Sequence, residues 1–434
     1  MPRRFCQIRQ IGRFLSVLFL TILPGCTGEG RVVEGKSSAE APSPAELWEA
    51  ESPADSSTGK DRELASRLAS ALDDRLLAAQ VIITGIDGRE VLGESMAALL
   101  EAVPAGGIML FAYNINTDRE TISPFLENCS RRIAGATVIG GDTGAAGDGR
   151  DSGFGFSGIP PLIAVDHEGG KVQRFGSPFR QLPAPASYWE TAQIRGWDYA
   201  LEVIEEDARL SGLELRKMGI TLNFAPVAEI STPENQGFLD DRSYGPDGTF
   251  VTAATGAFVR GMGAAGILCV VKHFPGNGEG DPHQETALLA MDSAALDLMI
   301  APFTALVRGG APAGIMVSHV LVPAWDAKRI ASLSPVVMGD KLRKELGFTG
   351  IILGDDFSMA AVRSLGLDPG EAAVEALIAG ADMVMAWPLN LRDVQRAIVS
   401  ALRDGRLNRE RLQEGAERVL CQKIRSGLIA REEE

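Results

Sequence analysis

The chain has 434 residues, 45% of them hydrophobic and 23% charged, with a formal net charge of −15. That length supplies one large core or two ordinary ones. The acidic balance argues against a nonspecific nucleic-acid binder, which needs a basic footprint.

The N-terminus reads as a targeting segment. Arg3, Arg4, Arg9 and Arg13 form a basic region, and residues 14–23 are an apolar run too short to span a bilayer comfortably. The run ends in Leu23-Pro24-Gly25-Cys26, which resembles a bacterial lipoprotein signal with Cys26 as the lipidated first residue of the mature chain. An ordinary cleaved signal and an uncleaved anchor are the alternatives. Residues 26–62 are rich in Gly, Ser, Pro, Ala and Glu without periodicity, as in a disordered tether. The division is then a signal peptide over 1–25, a tether over 26–62 and a folded domain over 63–434. Cys6 leaves with the signal. Cys129, Cys269 and Cys421 lack metal-ligand spacing, so neither a zinc site nor a disulfide framework is expected.

From residue 63 onward, apolar runs alternate with amphipathic stretches. The runs cover residues 81–86, 107–113, 162–165, 220–227, 267–271, 313–317, 350–353 and 381–386. Stretches such as 201–218 and 369–379 carry helical periodicity between them. Continuous apolar strands separated by helices indicate a parallel sheet covered on both faces. Eight such units predict an α/β fold, a single (β/α)₈ TIM-type barrel with its chemistry at the C-terminal ends of the strands. A doubly wound open sheet is the competitor, but no Gly-x-Gly-x-x-Gly follows the first strand. The Gly- and Asp-rich residues 140–158 read as a surface insertion, and residues 392–429 as terminal helices.

Polar residues gather where the apolar runs stop. Asp166, His167 and Glu168 follow the third, Lys272 and His273 the fifth, Ser318 and His319 the sixth, and Asp355 and Asp356 the seventh. After Lys272 and His273 a Gly-rich loop delivers Asp281-Pro282-His283. A carboxylate beside an imidazole on a loop suits proton transfer. Side chains alternate along a strand, so only one of Asp355 and Asp356 points readily into a barrel mouth. The other is expected to cap a helix over 357–360.

Six motifs in order carry a resemblance over residues 75–425: Gly106-Gly107-Ile108-Met109-Leu110-Phe111, Val165 to Arg174, Asn223-Phe224-Ala225-Pro226-Val227, Asp241-Arg242-Ser243-Tyr244-Gly245, Lys272-His273-Phe274-Pro275-Gly276 and Gly354-Asp355-Asp356-Phe357-Ser358-Met359. The chain resembles glycoside hydrolase family 3, in its single-domain β-N-acetylglucosaminidase branch. The resemblance implies a retaining hydrolase of terminal β-linked N-acetylglucosamine, with Asp355 as nucleophile. It makes His283, supported by Asp281, the acid/base, and Asp166, Arg174, Arg242, Lys272 and His273 the sugar-binding set. No cofactor, metal or nucleic acid is expected.

Each assignment has a structural rival at this stage. Arg174 could simply pair with Asp166 or Glu168, and Arg242 with Asp240 or Asp241. His319 reads as standing behind the site, and Glu168 as a loop support. The loop also departs from the family pattern. Four residues, Asn277 to Gly280, precede Asp281 where six are usual, Asn277 stands where histidine is usual, and Pro282 fixes a backbone angle. Glu279 and Glu285 are the substitutes should His283 not reach. Rival activities are a phosphorylase, another β-glycosidase, and a glycan-binding surface lipoprotein without catalysis. The leading expectation is an exported, membrane-anchored monomeric lipoprotein acting on cell-wall amino sugars.

Overall fold

The computed structural model describes residues 57–115, 119–137, 158–281, 284, 286–310 and 312–431. The signal segment, Cys26, most of the tether, the insertion over 140–157, Pro282, His283 and Glu285 lie outside the described residues.

All eight apolar runs become parallel strands. They are β1 (Ile82–Gly85), β2 (Gly107–Leu110), β3 (Leu162–Val165), β4 (Leu222–Asn223), β5 (Leu268–Phe274), β6 (Gly314–Val317), β7 (Ile351–Gly354) and β8 (Val384–Ala386). Each of β1 to β7 pairs with its neighbour in sequence, and β8 pairs with β1. A parallel bridge between Leu353 and Met383 brings β7 to the foot of β8 and closes the ring. Closure rules out the open doubly wound sheet.

Period-two alternation sorts the strand residues into two cores. Ile83, Met109, Leu162, Ala164, Leu222, Phe224, Val270, Met316, Ile351 and Met385 fill the barrel interior. Ile82, Ile108, Ile163, Val165, Cys269, Val271, Ile315, Val317, Ile352 and Val384 face the helical layer. Cys129, Cys269 and Cys421 are buried free thiols. No described helix is long and apolar enough to cross a membrane.

Three boundaries differ from expectation. The run over 220–227 is a regular strand only at Leu222–Asn223 and returns to the ladder as a single bridge from Val227 to Lys272, with Pro226, which has no N–H to donate, in the interruption. Strand β5 runs on to Phe274, with a register irregularity against β6 between Val271 and Phe274. An irregularity of that kind lets consecutive side chains, here Lys272 and His273, serve one face. The first helix begins at Ser57, inside the expected tether. Its Asp61 is buried and accepts two hydrogen bonds from Arg431, at 2.8 and 3.0 Å, while Leu64, Ala65 and Leu68 pack into the core.

Candidate active site

The C-terminal ends of the strands surround a cavity of about 310 Å³. Asp166, Glu168, Arg174, Arg242, Lys272, His273, Asp355 and Asp356 all line it, over a floor that includes Met109, Met316 and Met385. Six of the eight residues assigned to catalysis or sugar binding from sequence therefore converge. Asp281 does not line this cavity, and His283 lies outside the described residues.

The cavity's charges are already paired. Lys272 Nζ donates to Asp166 at 2.8 Å and sits 2.7 Å from Glu168 Oε1. Arg174 Nη2 donates to the other oxygen of Asp166 at 2.8 Å. Arg242 makes a two-pronged contact with Glu168, both bonds at 2.8 Å, so its partner is neither Asp240 nor Asp241. Burial would raise the Asp166 and Glu168 carboxyls, but the adjacent cations outweigh it and hold both below the usual carboxylate range. Burial pulls Lys272 down; Asp166 and Glu168 outweigh that and raise it, so it stays charged. Arg174 Nε is buried with no hydrogen-bond partner among the described residues, and so is Ser318 Oγ. Charge-paired side chains with donors to spare suit a neutral polyol.

The adjacent acids divide as alternation predicts. Asp355 faces the cavity. Burial alone would raise its carboxyl, yet the electrostatic influence of His273, His319 and Lys272 and the Asp356 N–H lower it. Its Oδ1 accepts that N–H at 2.8 Å. Asp356 also lines the wall but is tied on both sides. Its Oδ1 accepts the Ser358 N–H at 2.8 Å, and both oxygens lie 3.1 Å from the Trp387 indole nitrogen. The helix starts later than expected, at Ala360, because Asp356 holds a turn first. Gly354 is required here, since a Cβ would meet the Phe357 ring at 2.4 Å. His319 is buried behind the acids, donating from Nε2 to the Asp356 carbonyl at 2.9 Å and bonded to Ser332 through Nδ1 at 2.7 Å.

Glu229 was missed from sequence. It is fully buried and accepts from His273 Nδ1 at 2.6 Å and from the Asn277 N–H at 2.5 Å. The Asn277 side-chain amide lies 3.1 Å from each Glu229 oxygen. An acid two residues past the apolar run over 220–227 was the available signal. Gly276, at φ +126°, turns the chain between His273 and Asn277. Glu279 then pairs with Leu288, and Ala287–Leu288 joins a small sheet with Val320–Val322, so the base of the Asp281 loop is anchored. Asp281 Oδ2 accepts the Gln284 amide at 2.8 Å. Glu279 is exposed and does not line the cavity.

Aromatic rings form one rim. Phe111 lines the cavity and stacks on Trp387, with centroids 4.7 Å apart, and on Tyr113 at 5.8 Å. Among the described residues no group of three or more His, Cys, Asp or Glu is placed to hold a metal ion.

Comparison with known proteins agrees with this geometry. The profile of the glycosyl hydrolase family 3 N-terminal domain matches residues 150–421. A β-hexosaminidase of Methylococcus capsulatus is 39% identical over 247 residues, which is 56% of this chain and 70% of that protein. A β-hexosaminidase of Vibrio cholerae is 38% identical over 232 residues, 52% of this chain and 66% of the relative. The structure of a family 3 β-N-acetylglucosaminidase from Paenibacillus superposes with a TM-score of 0.71 at 28% identity, covering 82% of this chain and 63% of that one. NagZ from Neisseria gonorrhoeae, solved with N-trifluoroacetyl-D-glucosamine, gives 0.60 at 26% identity, covering 80% and 97%. With its barrel closed and the profile spanning well over half its length, the chain belongs to glycosyl hydrolase family 3.

Proposed function

We propose that the chain removes terminal β-linked N-acetylglucosamine by hydrolysis with retention of configuration. The observation that carries this reading is Asp355, a partly buried carboxylate held in its ionised form at a cavity whose other charges are already paired. Asp355 attacks the anomeric carbon as the bond to the aglycone oxygen breaks, giving a glycosyl-enzyme ester. His283, oriented by Asp281, protonates the leaving oxygen. It then takes a proton from the water that hydrolyses the ester and frees Asp355. Asp166, Arg174, Arg242, Lys272 and His273 hold the sugar hydroxyls. The β-hexosaminidase and β-N-acetylglucosaminidase relatives support the choice of an N-acetylated sugar.

The test is turnover of aryl β-glycosides. Asp355→Asn should abolish release from the β-N-acetylglucosaminide and leave the fold intact. His283→Ala should be slow and regain turnover with azide, which replaces the missing base-catalysed step. Unchanged turnover in the Asp355 variant would remove the nucleophile from the scheme. As part of the same reading, lipidation at Cys26 anchors a monomer outside the cytoplasm, where cell-wall amino sugars are its substrates. Cys26→Ala should then release the protein from the membrane fraction.

A further inference from the structure

A second cavity, of about 420 Å³, lies at the other end of the barrel. Gly347, Phe348 and Thr349, which lead into β7, form one wall, and the first helix (Ser57–Ala71) and the last (Arg409–Arg425) form the rest. Its charged lining is Arg62, Arg343, Arg418 and Arg425 against Glu414 and Glu417. In a chain of net charge −15 this is a local reversal of sign.

The cations are not consumed by structure to the same degree. Arg343 is committed, donating to the Phe348 and Gly350 carbonyls at 2.7 Å each and pairing with Asp382. Arg418 uses only Nη1, toward Asp382 at 3.0 Å and the Glu414 carbonyl at 3.2 Å. Arg62 and Arg425 have no hydrogen-bond or ion-pair partner among the described residues, yet both line the cavity. Both acids are engaged. Glu417 accepts from Ser66 at 2.9 Å and from Gln413 at 3.1 Å, and Glu414 pairs with Arg411 and Arg418. Behind the wall, Asp382 is shared by Arg343, Arg411 and Arg418, so one buried carboxylate answers three guanidinium groups. Guanidinium N–H donors converging on a concave space match the geometry of an oxyanion with several acceptor oxygens.

We propose that this cavity is a binding site for a phosphate-type oxyanion, recognised by Arg62, Arg418 and Arg425. The volume exceeds that of inorganic phosphate, so the natural ligand is a phosphate ester, either a free small molecule or the headgroup of a phospholipid. The site is separate from the sugar cavity, with which it shares no lining residue.

The test uses the full chain and the Arg62→Gln/Arg425→Gln double variant, whose replaced side chains are exposed and make no hydrogen bond or ion pair among the described residues. Arg131→Gln/Arg195→Gln, at positions that do not line the cavity, is the charge-matched control. Calorimetry with inorganic phosphate and with pyrophosphate at matched ionic strength reads the free-ligand source. Co-sedimentation with phosphatidylglycerol against phosphatidylcholine vesicles reads the headgroup source. The expected result is binding in at least one arm, weakened about tenfold or more in the double variant but not in the control. Turnover of the aryl glycoside in the absence of these anions stays at the wild-type value. Absence of binding in every arm overturns the proposal, as does equal binding by the wild type and the double variant.

Discussion

Glu229 receives the Nδ1–H of His273 at 2.6 Å, so an acid just beyond β4 fixes the ring of a residue on β5. The same carboxylate takes the Asn277 N–H, which joins that ring to the start of the Asp281 loop. Replacing Glu229 by Gln keeps one acceptor but turns an NH₂ group toward Asn277, setting donor against donor. Glu229→Gln should lower kcat/KM on the aryl β-N-acetylglucosaminide by about tenfold or more, about 1.4 kcal/mol in the transition state. A folded variant with wild-type kinetics would show that the ring needs no such support.

Asp356 differs from Asp355 in what it holds. Its carboxylate joins the Ser358 N–H to the Trp387 indole. Asp356→Ala should cost about 1–3 kcal/mol in urea unfolding, because partly buried donors lose their acceptor. Its turnover should fall far less than that of Asp355→Asn. Equal losses in the two variants would contradict the division of labour.

His167 is buried with neither ring nitrogen hydrogen-bonded among the described residues. Burial, opposed by Glu214 and assisted by Arg174, pushes its pKa down to about 4 from 6.5. Between those values the unfolded chain holds a proton that the folded chain does not, so stability falls as pH drops through the window. His167→Gln should remove up to about 3 kcal/mol of that acid sensitivity. Denaturation midpoints of the two proteins at neutral pH and near pH 4 provide the measurement. Parallel loss in both would place the sensitivity elsewhere.

Lys423 is buried on the last helix and donates to Gln80 at 2.7 Å. Burial pushes its pKa down to about 7 from 10.5. Below about 7 the lysine is charged in both states and the folded chain carries the full cost of burying it. Across the window up to 10.5 the unfolded chain holds the extra proton, so this contribution to stability grows as pH rises. Lys423→Met combined with Gln80→Leu removes both polar partners together, which avoids orphaning one. The double variant should be more stable than the wild type near pH 6, with the advantage shrinking toward about pH 9. A pH-independent difference would refute the assignment.

The strands were legible because each is an apolar run bounded by polar residues, and β3 and β6 matched the expected bounds to within a residue. Strand ends then exposed Asp166, Lys272, His273 and Asp355, since barrel geometry alone brings such positions together. The partners were harder to read. Arg242 and Glu168 are 74 positions apart, and nothing local to either announces the pairing. Nearby Asp240 and Asp241 were the obvious candidates, yet Asp240 pairs with Lys171. Glu229 was hidden because it lies beyond the interrupted end of the run over 220–227, outside any regular strand.

Asp382 gives the barrel a fastening unlike its other joints. Strands β7 and β8 meet through the single bridge at Leu353 and Met383, the sparsest junction in the ring. There the Asp382 carboxylate accepts the Ile352 N–H at 2.8 Å and grips Arg411 and Arg418 from the last helix. A side chain thus completes a ladder that the backbone leaves short, and three arginines act as the rivet that keeps the hoop from springing open. Parting these two strands under load or heat therefore means breaking a buried ionic cluster, which salt screens far less than it screens pairs on the surface, while the remaining staves are held by backbone pairing.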